Sequence, residues 1–333
     1  MRRKISYIFA LLLVLSALSL SLTSCDGTEL YSEGNGALKV VTTIFAPFDF
    51  AREVGGERVT VTLLQDNGAD LHNYTPTSAT LDALASADVF IYIGGVSDEA
   101  WVDQAIEASG NKKLTKLCLM DFIVPVHAEL QNDWSGEEHD HEHEHEHEED
   151  HSHEGHDHSA DEHIWTSVRN VMKITEKICE VFSSADQDGA EYYALRADSY
   201  AQKLSALDAK LHEIFEGTSI PVAVIADRFP FVYLFHDYHM PYIAAFSGCS
   251  TEINASFDTQ VKLINAVTDN SLPFVLTIEG GDKVLAKTIS VETGCSVASI
   301  DSMQSVKRGD IEAGATYISI MEKNISVLEE VFS

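Results

Sequence analysis

Cysteine is scarce in this 333-residue chain, five in all, and none is spaced C-x-x-C, so a thiolate metal knuckle is not expected. Basic residues are also few: 22 Lys and Arg stand against 53 Asp and Glu, a formal net charge of −31. That balance argues against nucleic acid and anionic lipid as partners and suits the attraction of cations. Past the first 24 residues no apolar run approaches the length of a membrane span. H-E-x-x-H, G-x-S-x-G, a phosphate loop and a dinucleotide fingerprint are all missing. The chain is therefore not expected to be an enzyme, with a zinc-dependent hydrolase as the enzymatic alternative.

What is present begins with Arg2-Arg3-Lys4, an apolar core from Ile8 to Leu15, and Leu22-Thr23-Ser24-Cys25. Charge, short apolar core and small residues before a cleavage point predict a signal peptide over 1–24. A spanning helix is the rival reading of the same stretch. Leu-Thr-Ser-Cys resembles the bacterial lipobox, which implies lipidation of Cys25, an extracytoplasmic address and a polar tether over 25–36. Cys118, Cys179, Cys249 and Cys295 remain. In an oxidising compartment these can pair; Cys249 with Cys295 is favoured over the other pairings because both sit in Gly-Cys-Ser turns, although a bridge is not expected.

The 26 residues from Glu137 to Glu162 hold nine histidines and thirteen carboxylates. The histidines are His139, His141, His143, His145 and His147, then His151, His153, His156 and His158. Neutral imidazole and carboxylate at this density suit borderline divalent metals, zinc above all. So few apolar residues cannot offset the entropy of ordering, and a loose metal-collecting loop over about 132–162 is expected. The bland alternative is an acidic solvated tract in which histidine is incidental.

Either side of the tract, short β-branched runs alternate with helical periodicity, which predicts parallel sheets built from βα units. Strands are expected at 39–45, 59–64, 88–93 and 116–120, then at 222–226, 242–245, 274–278 and 297–300. Tyr193, Tyr200, Leu204, Leu207, Leu211 and Ile214 form one apolar stripe on a long helix from Asp188, its expected cap, to Glu216. The expected fold class is α/β: an N-terminal lobe over 37–185, a linking helix over 186–217 and a C-terminal lobe over 218–333. Each lobe carries a mainly parallel sheet flanked by helices. Ligands of open α/β sheets bind beyond the carboxyl ends of the strands.

Two segments carry a resemblance. Leu71-His72-Asn73-Tyr74-Thr75-Pro76-Thr77 resembles the P-H-x-Y-x-P-T-P signature of the zinc-uptake solute-binding proteins of ABC importers, and Asp161-Glu162-His163-Ile164-Trp165 resembles their D-x-H-x-W. The resemblance spans the mature chain, including the order lobe, histidine loop, long helix, lobe. It implies that His72 and His163 bind Zn2+, less expectedly Mn2+, in an inter-lobe cleft. It further implies a monomeric, lipid-anchored protein that delivers the ion to a membrane permease, with a metal-binding adhesin on the same scaffold as the alternative.

Two departures from that pattern stand out. Ser167-Val168 replaces the family's D-P, so a contact at the helix start is expected to be lost. Arg228 falls where the family's third ligand stands, and a permanently protonated guanidinium cannot ligate. Asp227 is the expected substitute, with His236, His239 and Glu252 as alternatives. Asp301, past the last strand, matches the family's fourth position, and Glu279 lies in a neighbouring cleft loop.

Overall fold

The structure is a computed structural model that describes residues 30–66, 74–127, 129–132, 160–250, 254–280 and 283–333. In the first half the order is β1 (Tyr31–Gly34), β2 (Leu38–Thr42), α1 (Phe45–Gly55), β3 (Val59–Leu63), α2 (Ser78–Ser86), β4 (Val89–Tyr92), α3 (Val96–Glu99), α4 (Val102–Ser109), β5 (Thr115–Cys118) and β6 (Gln131–Asn132). Then come α5 (Val168–Ala185) and α6 (Ala190–Gly217). The second half holds β7 (Ala223–Phe229), α7 (Val232–Asp237), β8 (Tyr242–Ser247), α8 (Phe257–Asp269), β9 (Phe274–Ile278), α9 (Val284–Thr293), β10 (Ser296–Ile300), α10 (Arg308–Glu312) and α11 (Tyr317–Val331).

Two five-stranded sheets result, ordered β1-β3-β2-β4-β5 and β10-β9-β7-β8-β6. Each is parallel except for one antiparallel edge strand, β1 on β3 and β6 on β8. The parallel strands read as apolar runs because helices cover both faces, and β9 matches its expected limits residue for residue. The edge strands correct two expectations. Tyr31–Gly34 lies in the stretch read as tether, yet it pairs with Thr60–Leu63. Gln131–Asn132, at the start of the expected loop, is bonded to Tyr242 and Ile243 of the second sheet.

At 1.5 Å per residue the 28 residues of α6 extend about 42 Å. Its buried stripe is Tyr193, Tyr200, Leu204, Leu207, Leu211 and Phe215, with Phe215 rather than Ile214 completing it. Asp188 does not cap this helix. It sits in a 3-10 turn, Gly189 holds the cap position, and no side chain caps the start. One continuous set of buried side chains runs from Val40 and Phe48 through Tyr200 and Leu207 to Phe229 and Leu328, so both sheets share a core along α6. Among the described residues no helix is long and apolar enough to cross a membrane.

Candidate metal centre

Asp161 to Ser167 lies between the two sheets and is tied to both. Ala160 bridges His127, and Asp161 N donates to Val126 O at 2.8 Å. The Tyr233 hydroxyl, from α7, donates to Asp161 O at 2.8 Å. Trp165 Nε1 donates to Ser302 O beyond β10 at 2.8 Å. On the other side Ser97, at the start of α3, donates to Glu162 through its hydroxyl at 2.5 Å and its main-chain nitrogen at 3.1 Å. Gly95 permits that approach: a Cβ there would stand 2.3 Å from Glu162 Oε2. The segment therefore spans the carboxyl edges of both sheets, where ligands of such folds bind.

His163 is wholly buried. Its Nδ1 lies 2.8 Å from Asp161 Oδ1, which also accepts from His163 N at 2.8 Å. A carboxylate that takes the Nδ1 proton orients the ring and leaves Nε2 as the metal-facing nitrogen. Burial alone pushes this imidazole down, but the charge and hydrogen bond of Asp161, helped by Cys249, outweigh it and hold the group at about 10. A metal at Nε2 must therefore displace a proton. The Trp165 ring packs against the imidazole at 5.2 Å.

The third member of the cluster is Cys249, in the turn that follows β8. Asp161, His163 and Cys249 each offer a ligand atom, all within 4.8 Å of one another, and they form the one group of this kind among the described residues. Cys249 Sγ also lies 3.5 Å from Glu162 Oε1. Asp161 Oδ2 is buried and has no hydrogen-bond partner. Imidazole nitrogen, thiol sulfur and a spare carboxylate oxygen are donors that fit a divalent metal. Cys249 is not among the residues expected from the sequence, because it has no closely spaced cysteine; the available signal is a cysteine directly past a strand's carboxyl end.

The other expected ligands are elsewhere engaged. Asp227 Oδ2 accepts from Thr277 Oγ1 at 2.6 Å and Oδ1 from Arg228 N at 2.9 Å, and Asp227 is not a member of the cluster. The register of β7 slips between Ile225 and Arg228, which places Arg228 opposite Phe246 of β8. Asp301 Oδ1 accepts from Met303 N at 2.8 Å, capping its own turn, and burial raises its carboxyl. Glu279, also raised by burial, accepts from the Ser302 hydroxyl and main chain, which positions the loop that holds Trp165. His236 and His239 face each other at 6.3 Å between ring centres, and burial lowers His236. His239 lines a cavity with Arg169, His212 and Phe215 at the end of α6, apart from the cluster.

Ser167 corrects a further expectation. Its hydroxyl accepts from Asn170 N at 3.0 Å and donates to Asp237 at 2.5 Å, so the start of α5 keeps its cap. Cys249 and Cys295 are not bridged. All four described cysteines are free, and Cys295 is buried in an apolar cluster with Val224 and Leu263. His72, Glu252, Cys25 and the nine histidines of the tract lie outside the described residues.

A family model described as zinc-uptake complex component A, periplasmic, matches residues 40–331. The zinc-binding lipoprotein AdcA of Streptococcus pneumoniae serotype 4 is 28% identical over 321 residues, 96% of this chain and 60% of that protein. The chain thus spans about three-fifths of the length of this relative. The manganese-binding lipoprotein MntA of Halalkalibacterium halodurans is 25% identical, with 97% of each chain covered. Among solved structures, the Zn(II)-bound ZnuA-like domain of S. pneumoniae AdcA has a TM-score of 0.69 at 26% identity, covering 89% of this chain and 99% of that one. A laminin-binding adhesin from Streptococcus agalactiae reaches a TM-score of 0.71 at 16% identity over 89% of this chain and all of that one, a likeness of fold alone.

Proposed function

Because the chain belongs to the zinc-uptake complex component A family, we propose that it is the extracytoplasmic substrate-binding component of a metal ABC importer. Members of this family are metal-uptake components, so the hydrolase alternative is set aside. In this reading the protein captures a divalent ion, zinc before manganese, and hands it to a membrane permease. It acts as a monomer held to the membrane by a lipid on Cys25.

The observation that carries the reading is the placement of His163. Its imidazole is buried and locked by Asp161 at the junction of the two sheets' carboxyl edges. The second imidazole is assigned to His72, which lies between β3 and α2 in the sequence. The described residues on either side support the assignment. On one side Asp66 is held by Arg308 of the second half through main-chain and guanidinium contacts, and on the other Tyr74 packs on Trp101 at 4.8 Å. In the sequence the histidine tract ends directly before Ala160 and Asp161, the described residues that lead to His163. Ions collected there would be delivered next to His163, and loose capture at high local concentration is the role assigned to it. An adhesive role would rest on likeness of fold alone and is not adopted.

The test is elemental analysis of the purified chain, of the chain lacking residues 133–159, and of that shortened chain carrying His163→Ala or His72→Ala. The shortened chain should hold one zinc and both histidine variants should lose it. Undiminished zinc in both variants overturns the site.

A further inference from the structure

We infer that Cys249 binds the captured ion directly as a thiolate, an assignment that rests on the metal-capture reading above and sharpens it. The side chain sits within 4.8 Å of ligand atoms on both Asp161 and His163. Its position is built rather than incidental. β8 ends at Ser247, and the chain then passes so close to the cluster that a Cβ on Gly248 would stand 2.9 Å from Asp161 Oδ2 and from His163 Cε1 and Nδ1. Only glycine there lets the thiol reach the imidazole without pushing it aside.

A second, independent observation points to a ligand at the same place. Asp161 is 1% exposed, and its Oδ2 has no hydrogen-bond partner although Oδ1 accepts twice from His163. Buried carboxylate oxygens are rarely left so, and an unsatisfied one calls for an explanation such as an ion. A cation shared by imidazole and thiolate satisfies it, by direct coordination or by charge.

The contrast with Cys295 separates this thiol from a structural one. Cys295 is packed among Val224, Leu263 and Ala286, as a small buried hydrophobe is. Cys249 is surrounded by Glu162, Asp161 and His163 and is reduced. On the neighbouring strand Arg228, paired with Phe246 just before this turn, cannot ligate, and Asp227 is bonded to Thr277.

Chemistry follows from the donor. On binding, the S–H proton passes to solvent and the sulfur lone pair goes to the metal. Soft thiolate with imidazole favours zinc or cadmium and disfavours manganese, calcium and magnesium, which prefer oxygen. The site is therefore assigned as zinc-selective over manganese, and Cys249 as the residue that sets the preference.

The experiment titrates the metal-free full chain with cadmium and follows the ultraviolet thiolate-to-metal charge-transfer absorption, with zinc and manganese competition alongside. The histidine tract contains no sulfur, so its cadmium is silent in this band. The wild type should show the band saturating at one equivalent. Cys249→Ser should lose it together with the zinc preference, and Cys179→Ser should keep both. A silent wild type whose single tight ion is still lost in His163→Ala overturns the thiolate and leaves metal capture standing. A band or zinc preference that survives Cys249→Ser likewise overturns it. Tight binding that survives His163→Ala takes down the capture reading as well.

Discussion

The main-chain nitrogen of Tyr317 donates to Asp49 Oδ2 over 2.7 Å, joining α11 to α1 across 268 residues. Asp49 is fully buried, also accepts from Arg52 at 2.6 Å, and sits at the amino end of α11, where a negative charge complements the helix dipole. Tyr317 in turn donates from its hydroxyl to Trp165 O at 2.9 Å, two residues past His163. Asp49→Ala removes one of the two carboxylate acceptors of the half-buried Arg52 and the acceptor at a helix end. It should destabilise the protein by about 3 kcal/mol, read as a shift in urea midpoint. A shift below about 1 kcal/mol would show that this clamp does not hold the two halves together.

Asp98 gives stability a pH dependence of known sign. Burial pushes its carboxyl up to about 7, with Glu162 adding to the effect and the main-chain donors of Gly94 and Ile93 opposing it. In the unfolded chain the group titrates near about 3.9. The folded state therefore holds the proton more tightly, so the stabilisation is complete below the unfolded value and is lost as pH rises toward 7. Its size is on the order of 4 kcal/mol. Urea unfolding from pH 4 to 8 should show the wild type losing stability relative to Asp98→Asn across that window. Parallel curves for the two proteins would remove Asp98 as the cause.

Gly248→Ala should weaken zinc binding by roughly 10-fold or more, the usual scale for disturbing groups that orient a ligand. The new Cβ meets Asp161 Oδ2 and the His163 ring at 2.9 Å, and all of these are buried with little room to yield. Gly217→Ala, whose Cβ meets nothing within 4 Å, should leave affinity unchanged. Chelator competition measures both. Equal affinities would mean that the turn after β8 does not press on the site.

Replacing residues 133–159 by a short glycine-serine linker should reduce the number of zinc ions bound while the tight site keeps its affinity. The stem is independently secured by the bridge of His127 with Ala160 and by the bond from Asp161 N to Val126 O. Equilibrium dialysis reports number and affinity together. Loss of the tight site would show that the tract contributes ligands to it.

Much of this was legible in advance, for physical reasons that also explain the exceptions. Phe274–Ile278 is covered on both faces, so it is a continuous apolar run with visible ends. Tyr31–Gly34 alternates half-buried and exposed residues on a sheet edge, and only its pairing with β3 makes it a strand. His163 was legible because its neighbours Asp161 and Trp165 lie within two residues of it. Cys249 joins them from 86 residues further on, a relation that spacing cannot reveal. Ser167 caps the helix although the sequence lacks an aspartate there, because a serine hydroxyl also accepts from the main-chain nitrogen three residues on.

The most direct measurement is anomalous diffraction at the zinc edge from crystals of the chain with one equivalent of zinc. The account predicts one dominant peak, about 2.0–2.1 Å from His163 Nε2 and about 2.3 Å from Cys249 Sγ. A dominant zinc that touches neither atom would contradict it.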